Sequence, residues 1–180
     1  MSRPTTTRRT PLSRERVLRA AIAFADEHGV EALSMRKLAD ELGVQAMSLY
    51  NHVANKEDLL DGILDSALAE IAVPSPDVDW RAQIRAVAVS AHETMLRHPW
   101  AADLSVRAKP GPGRLGYSES LLAAFRNGDF SKELTFHAYH IVESYIFTAL
   151  VLNYRAVEPT AFLLLDGLER LRDEGFLSSR

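Results

Sequence analysis

Residues 33–60 read LSMRKLADELGVQAMSLYNHVANKEDLL, and this stretch decides the fold. Ser34 is a good N-cap for a helix that turns Leu38 inward, and Gly43 can adopt the left-handed backbone that ends a helix. A second short helix is predicted over residues 46–52. A short helix, a turn containing glycine and another short helix together form a helix-turn-helix.

The second helix of this pair has an outer face made of small and polar side chains. Leu49 and Val53 are the apolar positions expected in the core. An exposed helix of this kind suits the major groove of DNA, where side chains at its N-terminal end reach base edges. Met47 can contact a thymine methyl group there, and Tyr50 and Lys56 offer groups that bind phosphate.

The rest of the chain also has helical periodicity, without the alternation of apolar and polar residues that marks strands. Ser13 is expected to begin the first helix, which Gly29 ends, and a connecting helix capped by Asn55 is expected over residues 56–72. Further helices are predicted over residues 80–97, 100–106, 113–127, 132–154 and 160–174. We therefore expect an all-α protein of about nine helices.

The composition limits the class of protein. The chain has 180 residues, of which 47% are hydrophobic and 25% charged, as in ordinary globular domains. It has no cysteine, which excludes disulfides and thiolate chemistry. No apolar run is long enough to span a membrane, and the N-terminus lacks the apolar segment of a secretory signal. A cytoplasmic protein without a membrane partner is therefore expected.

Positive charge is concentrated at the N-terminus. The whole chain has a net charge of −3, yet residues 1–20 contain six arginines and a single glutamate. Residues 1–11 show no periodicity and are predicted to form a flexible basic arm. A basic end on an acidic body indicates a polyanionic partner, with a merely solvated arm as the alternative.

The segment S-M-R-K-L-A-D-E-L-G-V-Q-A-M-S-L-Y-N-H-V-A-N-K-E-D-L-L resembles the DNA-binding domain of TetR-type bacterial repressors, most closely the tetracycline-repressor branch. The LGV turn, the L-Y-x-H-V ending and the N-K-x-x-L-L helix start carry the resemblance, which is specific over residues 13–65. It implies that several side chains face a double-stranded DNA operator. With Gln45, which precedes the second helix, the candidate DNA contacts are Arg36, Ala46, Met47, Ser48, Tyr50, Asn51, His52 and Lys56. Ala46, Met47 and Asn51 depart from the tetracycline repressor itself, which implies a different operator.

The resemblance also implies a division of the chain. A helix-turn-helix domain would occupy residues 12–56, and the helix over 56–72 would connect it to the second domain. Residues 73–180 would then form an effector-binding and dimerisation domain. Residues 161–171 resemble the last helix of that domain in the tetracycline-repressor branch.

The second domain contains candidate residues for a small-molecule pocket, which the fourth to eighth helices enclose in the family. The candidates are His92, Trp100, Phe125, Tyr139, His140 and Tyr145. His137 and His140 have a spacing that can bind metal, but pocket lining or plain surface is the expected role, and neither metal nor cofactor is predicted. Glu143 is interpreted as a solvated charge, because no catalytic or phosphate-binding spacing accompanies it.

The last two long helices have more apolar surface than one domain needs. The eighth helix is apolar nearly all round over residues 141–152, and the ninth has apolar residues on more than one face. A helix that packs only on its own domain needs one apolar stripe. We therefore predict a homodimer built on a two-fold four-helix bundle, with the central core of a monomer as the alternative. The interface candidates are Ile146, Leu150, Leu164, Leu168 and Leu171.

These observations together predict a transcriptional regulator, most simply a repressor, rather than an enzyme. It would bind a palindromic operator as a homodimer, and a small-molecule effector in the second domain would move the connecting helix and release the DNA. Two alternatives stay open. One is a helical small-molecule-binding protein whose DNA module does not function, and the other is an enzyme that uses the helical cavity.

Overall fold

The structure is a computed structural model that describes residues 11–105, 108–151 and 157–174. Within these residues it contains α-helices, one 3-10 turn and no strand, which confirms the all-helical prediction. The helices are α1 (Arg14–His28), α2 (Met35–Leu42), α3 (Ala46–Leu49), α4 (Lys56–Leu68), α5 (Trp80–Arg97), α6 (Trp100–Ser105), α7 (Pro112–Asn127), α8 (Lys132–Val151) and α9 (Val157–Asp173). Residues 1–10 of the predicted arm lie outside the described ranges.

The first three helices form an N-terminal unit around a small core. Ser13 caps α1 by accepting a hydrogen bond from the backbone N–H of Arg16, and Gly29 ends the helix with a φ of 81°. The 3-10 turn Val30–Ala32 then leads to α2, which packs against α1 and α3. The core of the unit contains the buried side chains Val17, Ala21, Leu38, Leu49 and Val53.

Helix α4 joins the N-terminal unit to a second unit, formed by α5 to α9. It packs against α1 in the N-terminal unit and against α5, α6 and α7 in the second unit. Asn55 caps it by accepting a hydrogen bond of 2.8 Å from the backbone N–H of Asp58. The helix ends at Leu68 and not at the predicted residue 72. Hydrogen bonds between residues three apart replace the α-helical pattern there, and the N–H of Glu70 donates to the carbonyl of Ala67.

Helix α5 is central to the second unit and packs against α7, α8 and α9. Asp79 caps it through the N–H groups of Arg81 and Ala82. At this end, the ring of Trp80 meets that of Phe130, with the two centroids 5.1 Å apart. The apolar residues of α5 and α7 that face inward are fully buried, so these two helices hold the core of the unit.

A close contact fixes α7 on α4. The carboxylate of Asp65 in α4 accepts hydrogen bonds from the backbone N–H of Gly113, at 2.8 Å, and of Arg114, at 3.2 Å. A Cβ atom at Gly113 would collide with the carbonyl oxygen of Asp65. Only a glycine allows the start of α7 to approach the α4 backbone this closely.

Other helix boundaries also differ from prediction. Helix α3 ends at Leu49 rather than at residue 52, because the N–H groups of His52 and Val53 both turn back to the carbonyl of Leu49. Helix α9 begins at Val157 rather than at the predicted residue 160, so Pro159 lies in its first turn. A proline is tolerated in the first turn of a helix because its missing N–H would have no partner there. Helix α7 starts one residue early, at Pro112.

Candidate nucleic-acid interface

The angle between α2 and α3 is set by the turn at Gly43. This glycine has φ 64° and ψ 38°, the left-handed conformation that the sequence predicted. Its N–H donates to the carbonyl oxygens of Ala39 and Asp40, and the N–H of Val44 donates to Ala39 at 2.9 Å. The turn therefore closes α2 and redirects the chain into α3, the candidate recognition helix.

One side of the recognition helix is buried, and the opposite side is exposed to solvent. Leu49 and Val53 are buried beneath it. The opposite side carries Met47, which is 73% exposed, and Tyr50, which is 42% exposed. An exposed methionine at the start of a short helix contributes nothing to the core of its own unit, and it is free to contact a partner.

The remaining candidate DNA contacts are all at least partly accessible to solvent. Arg36, Gln45, Asn51 and Lys56 are exposed, and Ala46, Ser48 and His52 are half-buried. Within the described ranges, Arg36 and Lys56 form no ion pair, so both cationic groups are available to phosphate. The ammonium of Lys37, by contrast, donates to the carbonyl of Ala32 at 3.1 Å.

An arginine of α1 holds the end of the recognition helix, a role that sequence reasoning missed. The Arg14 guanidinium donates to the carbonyl of His52 at 2.8 Å and forms a two-point pair with the carboxylate of Asp58, at 2.8 and 3.1 Å. The same carboxylate accepts the N–H of Ala54 at 2.8 Å. The hydrogen bond from Arg14 and that from Ala54 hold the pKa of Asp58 below its usual range. The charged pair thus links α1, α3 and α4.

A second polar contact joins the N-terminal unit to the second unit. One carboxylate oxygen of Asp26, in α1, lies 2.8 Å from Nδ1 of His98 and accepts the indole N–H of Trp100 at 2.7 Å. Trp100, a predicted pocket residue, therefore lies at the contact between α1 and α6. The side chain of His98 is buried between Asp26 and Glu70.

The other predicted pocket residues differ in burial. Phe125 is fully buried against Phe130, and His140 is exposed beside Phe136. Tyr145 is half-buried, and His92 is buried in α5. The hydroxyl of Tyr139 takes part in a polar network between α7 and α8.

The network is centred on Glu143, which is half-buried and not the solvated charge that the sequence suggested. One of its carboxylate oxygens accepts the hydroxyl of Tyr117 at 2.6 Å and that of Tyr139 at 2.8 Å. Ser118 lies 2.9 Å from the Tyr139 hydroxyl. Burial and the neighbouring carboxylate raise the pKa of both tyrosines, so each keeps its proton and donates it. Tyr117 and Ser118 lie 26 and 21 residues from their partners in the chain, so local spacing gives no signal of them, whereas Tyr139 and Glu143 are one helical turn apart in α8.

The predicted dimer residues fall into two groups. Ile146 and Leu168 are buried by their own chain, with exposed fractions of 5% and 1%, and offer little surface to a partner. Leu164 and Leu171 of α9 are half-buried. The side chain of Leu150 lies outside the described residues.

A cleft of about 900 Å³ opens between the start of α4 and the end of α6. Its walls include Leu60, Asp61, Leu104 and Lys109, and none of the predicted pocket residues lines it. No group of three potential metal-binding side chains occurs in the described part of the chain. None of the helices, over the ranges described, is long and apolar enough to cross a membrane.

Family models match both units of this structure. One described as "Bacterial regulatory proteins, tetR family" matches residues 17–63, and one described as "Tetracyclin repressor-like, C-terminal domain" matches residues 73–172. An HTH-type transcriptional regulator from Saccharopolyspora erythraea is 39% identical over 137 residues, which make up 75% of this chain and 58% of that protein. The chain spans about half the length of the curated relatives it matches.

Solved structures of similar fold cover both units. ActR from Streptomyces coelicolor, in complex with (S)-DNPA, matches with a TM-score of 0.70 and 26% identity over 93% of this chain and 92% of that one. BioQ with its double-stranded DNA operator matches with a TM-score of 0.73 and 30% identity over 88% of this chain and 98% of that one. Both the DNA-bound and the small-molecule-bound protein therefore have a fold similar to this one.

Proposed function

The chain belongs to the TetR family of bacterial regulatory proteins, and on that premise we propose that it is a ligand-responsive transcriptional repressor. It binds a palindromic operator as a homodimer, and a small-molecule effector releases it. It acts by binding and not by catalysis. Since its partner is chromosomal DNA, its place of action is the bacterial cytoplasm.

The observation that carries the proposal is the exposed face of the recognition helix. Met47 projects into solvent at the N-terminal end of α3, and Arg36 and Lys56 are exposed cations without an ion pair in the described part of the chain. Ala46, Met47 and Ser48 would contact base edges in the major groove. The contacts to phosphate would come from Tyr50, His52 and Lys56. The operator named for BioQ, a similar structure, supports the same use of this face.

A homodimer places two such helices on one duplex. Two-fold symmetry sets the recognition helices in successive major grooves, about 34 Å apart, and makes the operator a palindrome. The proposed interface uses the part of α9 that the protomer leaves accessible, where Leu164 and Leu171 are half-buried and Gly167 is exposed. Ile146 and Leu168 support this surface from within the core rather than forming it.

The effector acts through α4 in this proposal. Helix α4 packs on α1 and also on α6 and α7, and Asp65 fixes it to the start of α7. A ligand that shifts α7 therefore displaces α4 and with it the N-terminal unit, which changes the distance between the two recognition helices. The complex of ActR with (S)-DNPA supports small-molecule binding by a protein of this fold.

Footprinting on the DNA upstream of the protein's own gene tests the proposal. We expect protection of a palindromic site, followed by loss of protection when a small-molecule screen includes the effector. The alternative of a non-functional DNA module predicts no protected site at any protein concentration. Binding to all DNA with equal strength, and no response to any compound, would also contradict the proposal.

A further inference from the structure

A buried histidine at the corner between α5 and α6 reaches back to the first helix. His98 has 6% of its surface exposed, and its Nδ1 lies 2.8 Å from a carboxylate oxygen of Asp26 in α1. The same oxygen accepts the indole N–H of Trp100, in α6, at 2.7 Å. One carboxylate of the N-terminal unit is therefore held by two side chains of the second unit.

The backbone of this corner is fixed by its own sequence. The N–H of His98 donates to the carbonyl of Thr94 at 2.9 Å, and a φ of −122° ends α5 at this residue. Pro99 follows, and a proline disfavours helical backbone at the residue before it. The ring that meets Asp26 is thus attached to a backbone that does not depend on α1 for its conformation.

The other side of the ring faces the end of α4. Nε2 of His98 lies 3.5 Å from one carboxylate oxygen of Glu70, in the turn that follows α4, and Arg97 donates to the other oxygen at 2.7 Å. The imidazole therefore lies between a carboxylate of α1 and a carboxylate at the end of α4. We call these side chains the His98 cluster: Asp26, Glu70, Arg97, His98 and Trp100.

The cluster and Arg14 hold α1 at two separate points. Arg14, at the start of the helix, pairs with Asp58 in α4 and donates to the carbonyl of His52, just beyond the recognition helix. Asp26 lies twelve residues further on, which is about 18 Å along the helix. A displacement of about 3.4 Å at Arg14, the rise of one base pair, takes a rotation of α1 of only about 11° about Asp26. Small freedom at Asp26 would therefore move the recognition helix by a whole base pair.

We propose that His98 is a positioning residue for operator recognition, and that it sets the spacing of the two half-sites that a dimer accepts. It acts through Asp26, by holding the N-terminal unit at one angle to the second unit, and it contacts no DNA itself. The inference rests on the proposed function, because half-site spacing has a meaning only for a dimer that binds a palindrome.

Four variants separate this contact from the fold. His98→Phe removes the contact and keeps a ring at the buried corner, and Asp26→Ala removes it from a partly exposed position, where the fold is not at risk. His98→Asn should restore the contact, because its amide N–H can donate to Asp26 from the position of Nδ1. Nε2 makes no hydrogen bond that would also need replacing. Glu27→Ala is the matched control: Glu27 is the next residue of α1, and its carboxylate lies at the surface, 3.9 Å from His28.

The first measurement needs no DNA. The chain has no cysteine, so spin labels can be attached at Glu41→Cys in α2 and Glu93→Cys in α5, two exposed positions. Dilution with unlabelled protein isolates the distance within one chain, and pulsed electron resonance gives its distribution. We expect the distribution to be about twofold broader in His98→Phe and Asp26→Ala than in the wild type, His98→Asn and Glu27→Ala. Equal widths in all five proteins would overturn the inference.

The second measurement compares duplexes with the two selected half-sites at their natural spacing and one base pair further apart. The insertion also turns one half-site by about 35°, and the cost of twisting the DNA back is the same for every variant. The wild type should lose roughly 10-fold in affinity on insertion, and His98→Phe and Asp26→Ala should lose at least about threefold less, with the preferred half-site unchanged. His98→Asn and Glu27→Ala should behave as the wild type does.

The two measurements distinguish failure of the inference from failure of the proposed function. An unchanged loss of affinity in both His98→Phe and Asp26→Ala, or a changed half-site preference, would overturn the positioning role of His98. A wild-type protein that selects no palindrome would overturn the proposed function, whereas equal widths in the distance measurement would overturn this inference alone.

Discussion

The guanidinium of Arg14, in the first turn of α1, donates a 2.8 Å hydrogen bond to the carbonyl oxygen of His52, just beyond the recognition helix. The same side chain pairs with Asp58 in the first turn of α4. The position of the recognition helix is therefore tied to α4, the helix that also contacts the second unit. A movement of α4 would therefore also move the recognition helix, because Arg14 contacts both of them.

Arg14→Ala should weaken operator binding although Arg14 is not among the proposed DNA contacts. Loss of the pair frees the segment after α3, and we expect a fall in affinity of about 10-fold, or about 1.4 kcal/mol, in a filter-binding titration. Stability should fall by only about 1 kcal/mol, because the pair is partly exposed. Arg19→Ala is the matched control: Arg19 is also in α1, but its pair with Glu15 is highly exposed and touches neither α3 nor α4. Equal losses of affinity in the two variants would mean that Arg14 acts only through its positive charge, and would contradict the positioning role.

The same pair makes stability depend on pH in the acid range. The pKa of Asp58 is lower in the folded protein than in the unfolded chain, so the unfolded chain binds more protons as the pH falls below about 5. The stabilisation is complete above the unfolded pKa and is lost as the pH falls through the folded pKa. Urea titrations should give a shallower loss of stability below pH 5 for Asp58→Asn and for Arg14→Ala. If stability depended on pH in both variants as it does in the wild type, the lowered pKa of Asp58 could not be due to its pair with Arg14.

Two glycines of α7 should respond oppositely to the same substitution. Gly113→Ala places a methyl group against the carbonyl of Asp65, and we expect a loss of about 1–3 kcal/mol in the free energy of unfolding. Gly116→Ala meets no atom within 4 Å, and the alanine should stabilise the helix by about 0.5–1 kcal/mol. Denaturant unfolding measures both. A stable Gly113→Ala protein would show that the contact between α4 and α7 is looser than described.

Gly167→Ala should weaken the dimer without affecting the fold of the protomer. A Cβ at Gly167 meets nothing within 4 Å in the protomer, so the fold should be unharmed. In the proposed interface, the added methyl group would hold two helices apart and raise the dimer dissociation constant about 10-fold, or about 1.4 kcal/mol. Sedimentation equilibrium measures this, with Gly116→Ala as the control. A wild-type protein that is already monomeric at micromolar concentration would rule out the interface. Leu168→Glu is unsuitable for this test, because Leu168 is buried in its own chain.

Local signals in the sequence predicted the caps and the turn, and contacts distant in the chain were missed. Ser13, Ser34 and Asn55 cap the helices that they were expected to begin, because capping depends on residues within one turn. The contact between Arg14 and Asp58 joins residues 44 positions apart, and no local pattern reveals it.

The degree of burial was equally hard to predict. Glu143 looks like a surface charge in sequence. Tyr139 lies one turn from it within α8, but only the packing of α7 on α8 brings Tyr117 to the same carboxylate. Leu168 was assigned to a dimer seam because α9 is apolar on several faces. The structure shows that one of those faces is already used by the protomer's own core. Apolar excess in a helix indicates burial and does not say which chain provides it.

The central claim, that α3 reads DNA sequence, is tested most directly by selection of binding sites from a random duplex library. The wild-type protein should enrich a palindrome with half-sites about one helical turn apart. A protein with both Met47 and Ser48 replaced by alanine should still bind DNA but enrich a different half-site, since each base contact is worth about 1–3 kcal/mol. Enrichment of no sequence by the wild type, or of the same sequence by both proteins, would contradict the account.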